Sequence, residues 1–374
     1  MGLWAEPTSV FQEYQDTQID ASGFHPNTYL CSSVFISGCR IGWNPPKRSF
    51  PKCFRGPDNG EPMKRPRQGL RQACNGHLIR KCQKRCNNQM DSPNLQTLCK
   101  RYNITFNKRL GQNLLLDDNI NRIMTDAAAL KENDSVIEVG AGLGALTAHL
   151  CRRAGRVLAV EIDRAFMPCL EDRFRDQENV RLFRGDILNH SLPKLAEEFL
   201  PGGTSYKMVS NLPYYITTPI LFHFLESPLK FGRIVVMVQE EVGIRMTVPP
   251  GHSEYGALAA VLACHATVDI VHRVPRTCFV PRPEVDSCIV RLRPHETPPY
   301  PDVEMRFLAT VIRAAFMQRR KTVRNALTRT GEFGAPREAV TAALEAAGID
   351  GERRAQTLSP EEFARLAAEI RSRI

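Results

Sequence analysis

The stretch that decides the fold is Ser135-Val136-Ile137-Glu138-Val139-Gly140-Ala141-Gly142-Leu143-Gly144-Ala145. Its first five residues make a β-branched run of strand length, and the run passes straight into three closely spaced glycines. Glycines at that place permit a tight strand-to-helix turn and let a ligand come close to the backbone at a helix start. The spacing satisfies a loose G-x-G-x-x-G/A pattern, which on its own often marks no more than a turn.

Working outward, similar short runs recur at residues 156–161, 180–184, 206–210, 233–238, 268–274 and 288–292, with helix-length segments between most of them. Together with residues 135–139 they predict an α/β fold of seven strands, largely parallel, with helices on both faces. Ligands in such sheets bind at the carboxyl ends of strands. Glu161 ends the second run, 21 residues after Gly140, where its carboxylate can accept both hydroxyls of a ribose. A nicotinamide dinucleotide or S-adenosylmethionine would use it alike.

Two later strand ends separate these cofactors. Asp186 follows the third run in Gly185-Asp186-Ile187, placed to accept a hydrogen bond from an adenine amine. The fourth run leads into Asn211-Leu212-Pro213-Tyr214, which a dehydrogenase does not need. An isolated Asn-x-Pro-Tyr is usually a turn, but this one falls where the reactive end of the cofactor should lie. The exocyclic amine of adenine is a poor nucleophile because its lone pair is delocalised into the ring. The Asn211 side-chain oxygen and a backbone carbonyl of the Leu212-Pro213 turn can hold its two hydrogens and draw the nitrogen toward a tetrahedral shape. Tyr214 can stack on a base swung out of its helix or loop, and Pro213 stiffens the backbone that carries the carbonyl.

The whole chain has 374 residues, enough for two or three domains. Apolar residues make up 43% and charged residues 24%, which excludes a disordered or collagen-like chain as a whole. No apolar run approaches the roughly 20 residues that span a bilayer. The net charge of +10 is misleading, because residues 1–89 hold 13 Lys and Arg against 6 Asp and Glu and carry most of it. An argument for nucleic acid must therefore rest on local clusters.

Residues 1–89 show no apolar periodicity and recurrent prolines, and read as a disordered extension or as upstream sequence included by a start codon placed too early. Glu6, Glu13, Asp16 and Asp20 precede the first base, Arg40, which excludes a secretory or mitochondrial leader of the usual kind. Glu6 also stands where a myristoylation signal needs Ser or Thr. Six of the twelve cysteines lie in this segment and the other six are scattered singly, as in a reducing compartment. Cys74, Cys82, Cys86 and Cys99 contain no C-x-x-C pair, so no metal is expected. A short helix is expected within residues 92–102.

Beyond the sheet, Arg293-Pro294-His295-Glu296-Thr297-Pro298-Pro299-Tyr300-Pro301 reads as a stiff linker. Residues 303–374 read as a small helical domain. On one continuous helix Leu308, Ile312, Ala315, Phe316, Val323 and Leu327 share a side, while Arg306, Arg313, Arg320 and Arg324 make a basic stripe on another. Such a stripe can follow a phosphate backbone, although a solvated charged face looks the same. Arg319 falls toward the apolar side and should need a buried acceptor. Ser359-Pro360-Glu361-Glu362 is a capping-box start for a last helix.

With these residues in place the sequence resembles the KsgA (RsmA) and Dim-type family of ribosomal RNA adenine N6,N6-dimethyltransferases. The likeness starts at Lys108-Arg109-Leu110-Gly111-Gln112-Asn113-Leu114-Leu115, where Leu114 replaces the usual Phe. It continues through the glycine segment, Glu161, Asp186, Asn211-Leu212-Pro213-Tyr214 and Phe279-Val280-Pro281-Arg282-Pro283-Glu284-Val285-Asp286-Ser287. It ends at Phe316-Met317-Gln318-Arg319-Arg320-Lys321-Thr322.

The resemblance implies a seven-stranded Rossmann-like, S-adenosylmethionine-dependent catalytic domain over residues 90–294 and an RNA-binding helical domain over 303–374. Implied cofactor contacts are Asn113, Leu115, Gly140, Glu161, Asp186 and Asn211. The base would meet Asn211, Leu212, Pro213, Tyr214 and Phe279, whose ring would cover its other face, and RNA would meet Arg313, Arg320, Lys321 and Arg324. The implied activity is dimethylation of two adjacent adenosines in a hairpin near the 3′ end of 16S rRNA, by a cytoplasmic monomer acting on the immature small subunit. One rival is the Erm-type enzyme that modifies 23S rRNA, which the Gln112-Asn113 pair and the Arg-Arg-Lys helix disfavour. Another is a non-catalytic RNA-binding factor, which the intact Asn211, Tyr214, Glu161 and Asp186 disfavour.

Overall fold

The computed structural model describes residues 95–105, 112–330 and 335–374. The expectations for residues 1–89, including Cys74, Cys82 and Cys86, and for Lys108 to Gly111 lie outside the described residues. The described chain begins with α1 (Leu95–Arg101) and runs through β1 (Leu114–Leu115), α2 (Asp118–Ala127), β2 (Ser135–Val139), α3 (Ala145–Leu150), β3 (Arg156–Glu161), α4 (Met167–Phe174) and β4 (Val180–Arg184). It goes on with α5 (Leu192–Phe199), β5 (Tyr206–Asn211), α6 (Thr217–Leu225), β6 (Phe231–Gln239), α7 (Glu240–Thr247), α8 (Ala257–His265), β7 (Ala266–Val274), β8 (Phe279–Val280) and β9 (Ser287–Pro294). Four helices follow: α9 (Met305–Phe316), α10 (Val323–Thr330), α11 (Arg337–Ala346) and α12 (Pro360–Arg371).

Seven strands form one sheet in the order β4-β3-β2-β5-β6-β9-β7, and all seven expected runs are in it. β9 is antiparallel to both its neighbours, and the other pairings are parallel. The inner strands β2, β3, β5, β6 and β9 are largely buried on both faces, so neighbouring residues serve different cores. Val136, Val157, Ala159, Val209 and Val235 point into one core with Ile120, Met124, Leu146 and Leu170 of the helices α2, α3 and α4. Ile137, Leu158, Val160, Met208 and Ile234 point into the other, with Leu195, Ile220 and Phe224 of α5 and α6.

The strand order reverses at β2, with β3 and β4 on one side and β5 and β6 on the other. The parallel pairing of β2 with β5 stops at Ile137 and Met208, and beyond it the Val139 amide donates to the buried Ser210 hydroxyl at 2.9 Å. The two strands therefore part at their carboxyl ends without leaving Val139 unsatisfied, which opens a crevice at the switch point.

A second, two-stranded sheet was not foreseen. β1 pairs antiparallel with β8, Leu114 opposite Val280 and Leu115 opposite Phe279. It brings the segment before α2 against the one before β9.

The C-terminal helices build a third core from Leu308, Ile312, Val323, Leu327, Leu344, Phe363 and Ile370, and this core also takes Tyr255, Ala259, Ala260, Val261 and Cys264 from in and before α8. The continuous helix expected here is broken. α9 ends at Phe316 and α10 starts at Val323, because Gln318-Arg319-Arg320-Lys321 offers four polar residues in a row and Thr322 receives the Asn325 amide at 3.4 Å as a new start. Arg306 and Arg313 therefore stand on one helix, Arg320 on the turn and Arg324 on the next helix. Arg319 is a correction too: it is exposed, and its guanidinium donates to the Ser253 carbonyl at 3.0 Å at the surface. The capping box is present, with Glu362 N to Ser359 Oγ at 3.2 Å and Ser359 N to Glu362 Oε2 at 2.8 Å.

Candidate active site

One pocket lies at the carboxyl ends of β2, β3, β4 and β5, and its walls include Asn113, Leu115, Gly140, Glu161, Asp186 and Asn211. Gly140, Glu161, Asp186 and Asn211 meet because each lies at or just after the end of a strand of one sheet, and Asn113 and Leu115 join them from β1 and the residue before it. Gly140 has φ +78, and a Cβ there would come within 3.6 Å of the Asn211 carbonyl and 3.7 Å of the Pro213 ring. Both amides of the turn that follow β2, those of Gly140 and Ala141, donate to the Val160 carbonyl at 2.9 and 3.1 Å. The turn is thereby clamped to β3.

Glu161 is buried, with Oε2 accepting from the Gly142 amide at 2.7 Å and Oε1 from the Asp163 amide at 2.8 Å. Burial pushes its carboxyl above the ordinary range, while the two amide donors pull the other way. Each oxygen keeps a second lone pair for a ribose hydroxyl. Glu138, which the sequence reading passed over, also lines the pocket and is fully buried. Burial pushes its carboxyl up to about 8, against the Thr147 hydroxyl, which donates to it at 2.6 Å, and with the charge of Glu161. Asp186 accepts from the Leu188 amide at 3.1 Å and from the Asn189 side chain at 3.2 Å. Ile162 and Ile187, each next to one of these acids, also line the pocket.

The Asn211 side of the pocket is made by Leu212, Pro213, Tyr214 and the neighbouring Tyr215, which is 58% exposed. The Pro213 carbonyl is taken by the Ile216 amide and the Thr217 hydroxyl, each at 3.3 Å. The Tyr214 hydroxyl meets that of Ser287 at 2.7 Å. Burial raises the Tyr214 phenol above its ordinary value, so it is neutral at physiological pH. Phe279 is not among the pocket walls. Its ring is 2% exposed and belongs to the core shared with Met124 and Ile289.

On the helices, Arg313, Arg320 and Lys321 are exposed, and the Arg313 guanidinium lies 5.6 Å from the Phe222 ring centre. Arg324 differs from them: it is half-buried, pairs with Glu352 at 3.1 Å, and its amide donates to the Gly351 carbonyl at 3.2 Å. Sequence spacing does not show this partner, which comes from the loop between α11 and α12.

Gly140 with its open approach and the carboxylates of Glu161 and Asp186 at neighbouring strand ends suit an adenosine-bearing cofactor of either kind. The asparagine and tyrosine at the end of β5, and the antiparallel β9 inserted next to β6, place the molecule among the S-adenosylmethionine-dependent methyltransferases. Within that class the chain belongs to the ribosomal RNA adenine dimethylase family, whose sequence profile matches residues 103–372. It is 43% identical over 277 residues to "Ribosomal RNA small subunit methyltransferase A" of Lysinibacillus sphaericus, covering 73% of this chain and 93% of the relative. To the protein of that name from Moorella thermoacetica it is 46% identical over 264 residues, covering 70% and 91%. Among solved structures it is similar to a dimethyladenosine transferase from Plasmodium falciparum, at 25% identity and a TM-score of 0.58, covering 68% of this chain and 95% of that one. It is also similar to the 23S rRNA methyltransferase ErmE, at 26% identity and a TM-score of 0.52, covering 69% and 99%.

Proposed function

We propose that the protein dimethylates the exocyclic amines of two adjacent adenosines in a hairpin near the 3′ end of 16S rRNA, within the immature small ribosomal subunit, acting as a cytoplasmic monomer. The observation that carries this reading is Asn211-Leu212-Pro213-Tyr214 on the wall of the pocket that also holds Glu161 and Asp186. The small subunit is favoured by the relatives named for it, which are 40–46% identical, over the 23S enzyme at 26%.

In this reading Glu161 holds the ribose, Asp186 the adenine amine of the cofactor, and Ile162 and Ile187 its ring faces. S-adenosylmethionine supplies an electrophilic methyl group on a positively charged sulfonium. Asn211 Oδ1 accepts one hydrogen of the target amine, and because the Pro213 carbonyl is already engaged, the second acceptor is the carbonyl of Leu212. Two acceptors pull the nitrogen out of conjugation and turn its lone pair toward the methyl. Tyr214 stacks on the base. No strong general base is needed, since the proton can leave to water after transfer, and the chain's contribution is orientation.

Arg313, Arg320 and Lys321 hold RNA phosphates outside the pocket. Transfer of labelled methyl groups to immature small subunits, with the modified adenines mapped in both 16S and 23S RNA, tests the proposal. Label in two adjacent 16S adenines is expected; label in 23S RNA alone, or none, overturns it.

A further inference from the structure

We propose that Ser287 is a positioning residue for methyl transfer, acting through the hydroxyl of Tyr214. The inference rests on the reading of Tyr214 as the residue that stacks on the target base. Tyr214 sits in a one-turn 3-10 segment directly after Pro213 and is only half-buried, so its own turn does not fix the direction of its ring. What fixes it is the 2.7 Å bond between its hydroxyl and Ser287 Oγ. A phenol O–H lies in the plane of its ring, and its partner is preferred near that plane, so the bond restrains the ring's direction and also the tilt of its face.

Ser287 is a firm anchor. It is 0% exposed and opens β9, where it pairs with Gln239 of β6 on one side and Val274 of β7 on the other. The preceding residue is held as well: the Asp286 carbonyl accepts from the Glu240 amide at 3.0 Å, and its carboxylate accepts from the Arg276 amide at 2.9 Å. The hydroxyl that meets Tyr214 is therefore carried by three hydrogen-bonded strands. Ser287 lies outside the pocket walls.

The test is a double-mutant cycle on the full chain, with small subunits as substrate and cofactor affinity measured by calorimetry. Ser287→Ala and Tyr214→Phe each delete one end of the same bond. Each is expected to lower kcat by about three- to tenfold, the worth of one hydrogen bond, with KM for the subunit and cofactor affinity within about twofold of the parent. The double variant is expected to be no slower than the slower single one. Tyr214→Phe leaves β9 untouched and keeps the test valid should Ser287→Ala fold poorly. Singles that retain the parent kcat while Tyr214→Ala is crippled would overturn the positioning role alone, as would a double variant whose loss is the product of the two. Parent-like kcat in Tyr214→Ala would overturn the stacking reading and this inference with it.

Discussion

The side-chain amide of Gln112 donates to Asp163 Oδ2 across 2.7 Å, and the Asp163 amide in turn donates to Glu161 at 2.8 Å. The segment that carries Asn113 is thus tied to the acid at the end of β3. Gln112→Ala should loosen both walls of the pocket together and weaken S-adenosylmethionine binding by about two- to tenfold, as expected for loss of one side-chain hydrogen bond. Calorimetry reads this directly, and unchanged affinity would mean that the tie is incidental.

In the proposed mechanism Asn211 orients the amine more than it holds the cofactor. Asn211→Ala is expected to lower methyl transfer by ~100-fold or more, comparable to removal of one preorganised polar group from an active site, while cofactor affinity falls far less. Single-turnover transfer beside calorimetry separates the two effects.

Glu138 makes stability depend on pH. Burial keeps its carboxyl neutral up to about 8 in the folded chain, whereas the unfolded chain ionises it near its ordinary value of about 4.3. The folded state thus binds the proton more tightly, so this stabilisation is complete below the ordinary value and is lost as pH rises through the folded one. Glu138→Gln mimics the neutral form at every pH. The melting temperature of the parent relative to this variant should fall between about pH 5 and about pH 8 and level off above. Parallel curves across that window would mean that Glu138 is ionised in its pocket.

The exposed bases and Arg324 should separate experimentally. Replacing Arg313, Arg320 and Lys321 together with Gln should weaken RNA binding and reduce its dependence on salt by about two units of log–log slope, with the melting temperature unchanged. Arg324→Gln should instead lower the melting temperature, because it removes the partner of Glu352. A slope unaffected by the triple change would leave those side chains as a solvated face.

Residues 1–89 should be dispensable for catalysis. The family match starts at residue 103, and α1 is held through the buried Leu98 and the bond from the Tyr102 hydroxyl to Asp172. A chain begun at Met90 is expected to keep full activity and to melt at nearly the same temperature. Loss of either would give the leading segment a part in the enzyme.

The seven strands and the acids Glu161 and Asp186 were legible because each rests on a local signal: a β-branched run, a glycine turn, a carboxylate at a strand end. Contacts made by two residues far apart in sequence were not. Leu115 and Phe279 form strands of two residues each, too short for any periodicity to show, yet their pairing carries Phe279 into the core. The basic stripe failed for a different reason. Its wheel assumed one helix through Gln318-Arg319-Arg320-Lys321, and a run of four polar residues with nowhere to be buried favours the turn that is observed. Tyr215 carried no spacing signal at all beyond adjacency to Tyr214.

The third core has a consequence for how such enzymes can be recombined. Helix α8 is threaded between β6 and β7 in the chain, yet with Tyr255 it supplies residues on which α9 and α12 close. The C-terminal helices are therefore no cassette that can be cut at the proline-rich linker and exchanged with a relative's. A chimera joined there would meet a foreign α8 surface and bury mismatched side chains, whereas one that carries residues 255–265 along with the tail would transplant the whole interface.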